Sequence, residues 1–207
     1  MRVSLPLVAL ALAACHPRPR ELPRDYPGSL VPSAELPREF MARQSVVAHA
    51  MGRDTGFDAV LQQHDGVLTM VGLTPFGTRA FLLQQRGTEV SFTSFLPREM
   101  PFPPRYMLLD VHRALFIGLP GAPLADGAHA GTRDGEEIRE LWAGGRLRER
   151  SFRRLDGAPA GLITARYEGG MAPGHPAGRI DYDNGWYGYR LTVTTSSFEA
   201  LPAPQDQ

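Results

Sequence analysis

The sequence predicts an α+β domain that is mainly β: one strongly curved antiparallel sheet, a half-open barrel, with a helix on its concave side. Three observations point there. Short runs of apolar residues recur between Gly-, Asp- and Asn-containing turns, as in half-buried strands joined by hairpins. A single stretch, Arg105–Ile117, has no Gly or Pro and carries an apolar stripe at helical spacing. The chain has 22 Gly and 19 Pro in 207 residues, too many for long uninterrupted helices. A closed barrel accounts for the same pattern.

The first hairpins follow a Pro-rich stretch. Arg43–Met51 is an apolar-rich strand. Phe57–His64 and Val67–Thr74 flank Asp65-Gly66, which suits a type I′ turn. Pro75-Phe76-Gly77 makes the next turn. Thr78–Gln85 and Thr88–Phe95 then pair across Arg86-Gly87. A two-residue loop there sets Leu83 opposite Val90 and Phe81 opposite Phe92, all on one face.

Helix and second sheet half come next. Pro103-Pro104 suits a helix start, since proline fits the first turn. Leu108, Val111 and Leu115 form the stripe, with Leu109 and Phe116 beside it. Gly118-Leu119-Pro120-Gly121 ends it, and the Gly/Ala-rich stretch Ala122–Asp134 reads as a loop. Glu136–Trp142 and Arg146–Leu155 flank Ala143-Gly144-Gly145. Gly161–Tyr167 is a short strand. Arg179–Asp183 and Trp186–Thr195 form a hairpin on Asn184-Gly185. A two-residue turn there puts Tyr182 opposite Tyr187 and Ile180 opposite Tyr189, with Asp181, Asp183, Trp186 and Arg190 on the other face. Trp142, Tyr167, Tyr182, Trp186, Tyr187 and Tyr189 either line a ligand cavity or fill a core.

The N-terminus carries the clearest address. Arg2 precedes the apolar run Leu5–Ala14, whose ten residues rise about 15 Å as a helix, half the thickness of a bilayer core. The run reads as a secretory signal rather than a span. It ends Leu12-Ala13-Ala14-Cys15, a bacterial lipobox. A thiol accepts diacylglycerol as a thioether, small residues before it fit the signal peptidase, and cleavage frees the Cys15 amine for a further acyl chain. The expected divisions are a signal peptide over 1–14, lipidated Cys15 with a Pro-rich tether over 15–38, the β domain over 39–200 and a tail over 201–207. The tether has Pro at 17, 19, 23, 27, 32 and 37, favouring extended polyproline II. His16 follows Cys15, where an Asp marks retention in the inner membrane, so the outer membrane is the expected location, facing the periplasm.

Composition narrows the function classes. Formal net charge is +0, and the 22 basic residues are all Arg, so bulk charge draws the chain neither to nucleic acid nor to anionic lipid. The one Cys excludes an intrachain disulfide framework. No G-x-S-x-G, H-E-x-x-H or phosphate-binding glycine loop is present, and no two of the six His stand at helical ligand spacing. No catalytic residue, metal site or cofactor is therefore expected. Asp181-Tyr-Asp183-Asn-Gly185 lacks the further ligands of a calcium loop and reads as a turn.

Leu73-Thr-Pro-Phe-Gly77 with the strand after it, Met100-Pro-Phe-Pro103 with the helix, Ile117-Gly-Leu-Pro-Gly121, and a terminal strand pair after Ala165-Arg-Tyr-Glu-Gly169 follow a familiar order. Together with the lipobox, they resemble LolB, the outer-membrane receptor for lipoproteins, over roughly residues 40–198. The chain also resembles a family of bacterial lipoproteins often encoded beside aryl-polyene synthesis genes. The LolB resemblance implies a half-open barrel lidded by helices around an apolar cavity. Phe81, Leu83, Val90 and Phe92 on the sheet, Leu108, Val111 and Leu115 on the helix, and Tyr182, Tyr187 and Tyr189 would line it. It implies a non-catalytic protein that binds an apolar or acylated molecule (a lipoprotein, a lipid or a polyene-type product) and passes it to the membrane, supplied by a periplasmic LolA-like carrier. In LolB an apolar residue protrudes from a strand-connecting loop. The loop Pro75-Phe76-Gly77 matches it and would bring the cavity mouth to the membrane. The Gly/Ala-rich 122–134 and the Phe in place of Leu at that tip depart from LolB. The same fold with a filled core and a protein partner, a structural or assembly lipoprotein, is the alternative.

Overall fold

Alternating burial organises the chain into one sheet. In a computed structural model, residues 26–36, 39–97 and 103–202 are described. The strands are β1 (Phe40–Ala50), β2 (Arg53–His64), β3 (Val67–Leu73), β4 (Arg79–Arg86), β5 (Glu89–Ser94), β6 (Gly127–Arg133), β7 (Glu136–Ala143), β8 (Arg146–Arg154), β9 (Ile163–Met171), β10 (Arg179–Asn184) and β11 (Tyr189–Ala200). They form a single 11-stranded sheet in the order β5-β4-β3-β2-β1-β11-β10-β9-β8-β7-β6. Every neighbour is antiparallel, and all but one pair are successive hairpin strands. The exception, β1 with β11, joins the two halves from Phe40↔Ala200 to His49↔Arg190. The sheet does not close: β5 and β6 remain edges, and α1 (Pro104–Leu115) comes between them in the chain.

Inward positions carry the core. Leu61, Leu68, Leu83, Phe152, Ile163 and Ile180 are all at most 1% exposed, alternating with outward polar residues as the strand period of two requires. Leu108 and Leu109 drive α1 into the concave face. Pro104 sits at the helix start, and the Phe116 N–H closes the last turn on the His112 carbonyl.

Hairpin geometry gives the sheet two ends. The turns at 51–52, 74–78, 134–135 and 185–188, with the 155–162 connection, lie at what we call the upper end. The turns at 65–66, 87–88 and 144–145, with the 172–178 connection, lie at the lower end.

The structure corrects several expectations. Arg86 pairs with Glu89, so the β4–β5 turn is Gly87-Thr88; Leu83 faces Phe92, and Val90 faces Gln85. Gly87 at the first turn position has φ +57°, which a hairpin turn of this length favours. The β10–β11 connection is also longer than expected. Tyr182 pairs with Leu191, Ile180 with Val193, and Asn184 with Tyr189. Residues 185–188 form the loop, which drives Trp186 inward, 1% exposed, with its ring N–H on the Gly161 carbonyl. Burying that indole outweighs a tighter turn. Both slips are even in residues, so the strand side chains keep their expected faces. Residues 127–133, read as loop, are the edge strand β6.

The largest correction is the segment 26–36, read as part of a spacer. It packs into the domain as a strap across the concave face, with Tyr26, Leu30, Ser33 and Leu36 buried. Its 3-10 turn, Ser33–Glu35, lies near the lower end.

Candidate functional site

The strap is held by side chains that α1 and the sheet point inward. Asp110 accepts hydrogen bonds from the hydroxyls of Tyr26, Tyr182 (2.7 Å) and Tyr189, and from the Asn184 amide at 3.4 Å. Burial pushes its carboxyl above the usual carboxylate range, against those hydrogen bonds. Burial likewise raises the three tyrosine hydroxyls well above their ordinary values.

One turn on, Arg113 is 1% exposed. It pairs with Glu136 at 2.7 Å and donates to the Pro27 carbonyl at 2.5 Å. Its guanidinium carbon stands 4.8 Å from the Tyr26 ring and 4.9 Å from the Trp186 ring, geometry that favours a cation. His112 Nδ1 accepts from the Val31 N–H at 3.1 Å. That fixes the proton on Nε2, which donates to Gln85 Oε1 at 2.8 Å. Burial lowers the His112 pKa to about 4, so the ring is neutral. The Gln85 amide in turn donates to the Val31 and Gly87 carbonyls, each at 2.7 Å. The Ser33 hydroxyl donates to the Gly66 carbonyl at 2.5 Å and accepts from the Gly87 N–H at 2.9 Å. Three of these bonds reach strap backbone, at Pro27 and Val31, and three involve the strap side chains of Tyr26 and Ser33.

The open site lies elsewhere. A cleft of about 190 Å³ opens at the lower end between the C-terminus of α1, β1, the 172–176 loop and Phe198. Phe40, Phe116, Phe198, Trp142, Leu119 and Met171 supply most of its walls. Phe40 stacks on Phe198 at 5.7 Å, and His175 lies 4.7 Å from the same ring. Gln44 and Arg150 provide its buried polar groups. Arg150 Nε donates to Glu140 at 2.7 Å and Nη1 to the Arg113 carbonyl at 3.3 Å. The other Glu140 oxygen takes the Trp142 ring N–H at 2.8 Å. An ion pair without net charge thus backs an aromatic cleft. A side chain at Gly118 would run into the ends of the Arg150 and Glu140 side chains, so the pair would have to shift.

Of the expected cavity residues, Leu115 alone lines this cleft. Phe81, Leu83 and Leu108 are closed core, with Phe92 and Val111 packed half-buried against it. Val90 borders a separate shallow groove beside β4 and β5. Tyr182 and Tyr189 serve Asp110, and Tyr187 meets the Tyr26 ring edge-on at 4.7 Å. Where these side chains point, the strap packs against them, with Tyr26, Leu30, Ser33 and Leu36 buried. Pro75, Phe76 and Gly77 form an exposed turn with Gly77 at φ +76°, and Phe76 is 93% exposed. That turn lies at the upper end, opposite the cleft. The resemblance pointed to the two segments that bracket the cleft, Ile117–Gly121 and the stretch after Gly169, without indicating that they meet.

Two further groupings resolve as structure. Glu39, His64 and Asp65 bring ligand-type atoms within 4.8 Å of one another. His64 Nδ1 meets Glu39 at 2.5 Å, and the other Glu39 oxygen accepts the Asp65 N–H, tying the start of β1 to a turn. Asp181 is bonded by Arg179 and Thr192, and Asp183 pairs with Arg190, as in an ordinary hairpin. Among the described residues, no helix is long and apolar enough to cross a membrane. Cys15 and Met100–Phe102 lie outside them.

The course of the chain has known parallels. A LolA superfamily protein from Nitrosomonas europaea is similar over 84% of this chain and 91% of its own, at 13% identity and TM-score 0.46. A putative outer membrane lipoprotein-sorting protein domain from Vibrio parahaemolyticus is similar over 84% and 90%, at 9% identity and TM-score 0.41. The Mycobacterium tuberculosis lipoprotein LppX is similar over 80% and 89%, at 13% identity and TM-score 0.35. No curated protein matches the chain. The family model described as "Protein of unknown function (DUF3261)" matches residues 41–197, from the second residue of β1 to within three residues of the end of β11, and the chain belongs to that family.

Proposed function

We propose that this chain is a non-catalytic envelope lipoprotein that binds an apolar or acylated molecule in the lower-end cleft and passes it on. The cleft carries the reading. It is concave, open and walled by aromatic and aliphatic side chains, with few polar groups, as small-molecule sites are. Burial of a chain there contributes roughly 25 cal/mol per Å² of apolar surface. The neutral Arg150–Glu140 pair and Gln44 suit a ligand with an uncharged hydrogen-bonding group. A lipoprotein's acyl chain, a lipid or a polyene-type product falls within this class. Acyl chains on Cys15 would hold the protein to the outer membrane facing the periplasm, and passage to that membrane would follow delivery by a LolA-like carrier.

A second reading has its own observation. The strap packs along the concave face and is stitched by half-buried polar bonds, as in a structural or assembly lipoprotein with a protein partner. One experiment separates the two. Residues 16–207 are titrated with a fluorescent fatty acid, alongside an Ala172→Trp variant that fills the cleft. The carrier reading expects saturable binding that the variant abolishes while keeping its circular dichroism. No binding, or equal binding by the variant, leaves the structural reading.

A further inference from the structure

The outside of the domain is asymmetric from end to end. Among the described residues six large apolar side chains stand exposed: Met51, Phe76, Phe95, Leu141, Leu155 and Leu162. Five belong to the upper end. Met51 tips the β1–β2 turn and Phe76 the β3–β4 turn. Phe95 follows β5, with its N–H on the Ala80 carbonyl. Leu155 donates its N–H to Gly135 in the β6–β7 turn, and the Leu162 carbonyl accepts from Gly185 in the β10–β11 loop. The sixth, Leu141, lies within β7. Tips on separate loops make no pocket for a folded partner, but they suit a fluid apolar layer.

The charges among them balance. Arg133 meets Asp134 at 3.6 Å, Arg154 meets Asp156 at 2.7 Å, and Arg190 meets Asp183 at 3.3 Å. Exposed Arg53 and Arg79 are matched in number by exposed Asp54 and Asp58, and the Arg79 guanidinium carbon stands 5.1 Å from the Phe95 ring. This end therefore presents apolar tips without a net field to select anionic lipid.

The N-terminal segment points the same way. Tyr26 packs against Trp186 and Tyr187, so the chain enters the domain at the upper end. Ten residues lie between Cys15 and Tyr26, so the reach over the eleven Cα steps is at most about 40 Å. β1 alone spans 11 residues, a height of about 35 Å. With the upper end at the bilayer the leash is slack. With the lower end there it would have to run almost fully extended. This leash argument rests on the lipidation of Cys15 proposed above; the apolar tips do not depend on it.

We infer that the upper end is a bilayer-docking rim, formed by Met51, Phe76, Phe95, Leu155 and Leu162, and that the cleft opens on the side facing away from the membrane. The cleft then receives its ligand from the aqueous side, where a soluble carrier arrives, and passage to the membrane under the rim requires the ligand to leave the cleft first. This reverses the orientation that the resemblance implied.

The test uses residues 16–207, which retain every described residue and carry no acyl chain. Single cysteines at Ala160→Cys (upper end) and Asp65→Cys (lower end) are labelled with an environment-sensitive fluorophore. Each is mixed with phosphatidylcholine vesicles containing a spin-labelled lipid. Vesicle association should quench the probe at 160 and spare the probe at 65. Phe76→Glu with Leu155→Glu should weaken partition at least about tenfold, and 0.5 M salt should leave it unchanged. Both tips are exposed, and retained thermal unfolding checks the fold of the variant. Quenching at 65, equal quenching at both sites, no association, or association indifferent to the tips overturns the inference. The fatty-acid titration of the cleft reads none of these outcomes, so the two proposals fail separately.

Discussion

The two halves of the sheet bury different chemistry. In β1–β5 the inward polar groups are neutral amides, Gln44, Gln63 and Gln85, among Ala42, Leu61, Leu68, Met70 and Leu83. In β7–β11 the inward polar groups include Glu136, Glu140 and Arg150, and α1 adds Asp110 and Arg113 opposite them. The first half buries uncharged groups only. The second holds charges whose desolvation is offset only while each partner is in place. Strap and cleft both draw on this ionic half, and the contrast sets how the two should fail.

Arg113→Met probes it most strongly. Removing the cation leaves buried Glu136 with only Arg154, 4.0 Å away, and the Pro27 carbonyl without its donor. Stability should fall by about 3–5 kcal/mol in denaturant unfolding. Adding Glu136→Gln should recover much of that loss. Leu83→Ala in the other half should cost about 2–5 kcal/mol, with no second substitution of this kind to restore it. Equal behaviour of the two sites under such rescue would erase the distinction.

Acid sharpens it further. The His112 pKa is lowered to about 4 from an ordinary 6.5. Between those values the unfolded chain takes up a proton that the folded chain refuses, so the unfolded state binds more protons and stability falls as pH falls. The loss should reach up to about 3 kcal/mol by pH 4. Asp110 works in the opposite direction. Its raised pKa makes it costly at neutral pH, and that cost fades on acidification. The clean measurement is therefore the difference between the chain and His112→Asn, whose side-chain oxygen can still accept from the Val31 N–H. The variant should lack this component of the acid loss. An identical pH profile would remove His112 from the account.

The smallest effect should come from the outer face. Arg166 and Glu149 pair at 2.8 Å with both side chains well exposed. Arg166→Ala should shift stability by about 0.5 kcal/mol or less. A larger shift would mean that the outer ion pairs also hold the ionic half together.

These differences explain what was legible. β2, β3 and β4 announce themselves because alternation and Asp65-Gly66 agree, and α1 because its apolar stripe is bounded by Pro103-Pro104 and Gly118. β6 is silent: Gly127-Ala-His-Ala-Gly131 has no branched or aromatic residue, and as an edge strand it buries almost nothing. The strap was hidden because extended Pro-rich backbone looks alike in a spacer and on a sheet; only Asp110, His112 and Arg113, far along the chain, make the difference. Those three read as the polar side of an amphipathic helix, yet they are buried. The cleft was hidden for a related reason. Phe40, Phe116, Trp142, Met171 and Phe198 come from five separate segments, and no local period joins them.

The strap also has a mechanical meaning. It enters beside Trp186 at one end of the sheet and reaches Gly66 and Gly87 at the other, so it lies along the strands. A pull arriving through residue 25 acts along its length. The bonds at Tyr26, Pro27, Val31 and Ser33 then share the load in shear instead of opening one after another like a zipper. A tether that ran straight into β1 at the lower end would load the first strand directly. Were Cys15 lipidated as proposed, the tug of a membrane would be spread over the strap before it reached the sheet.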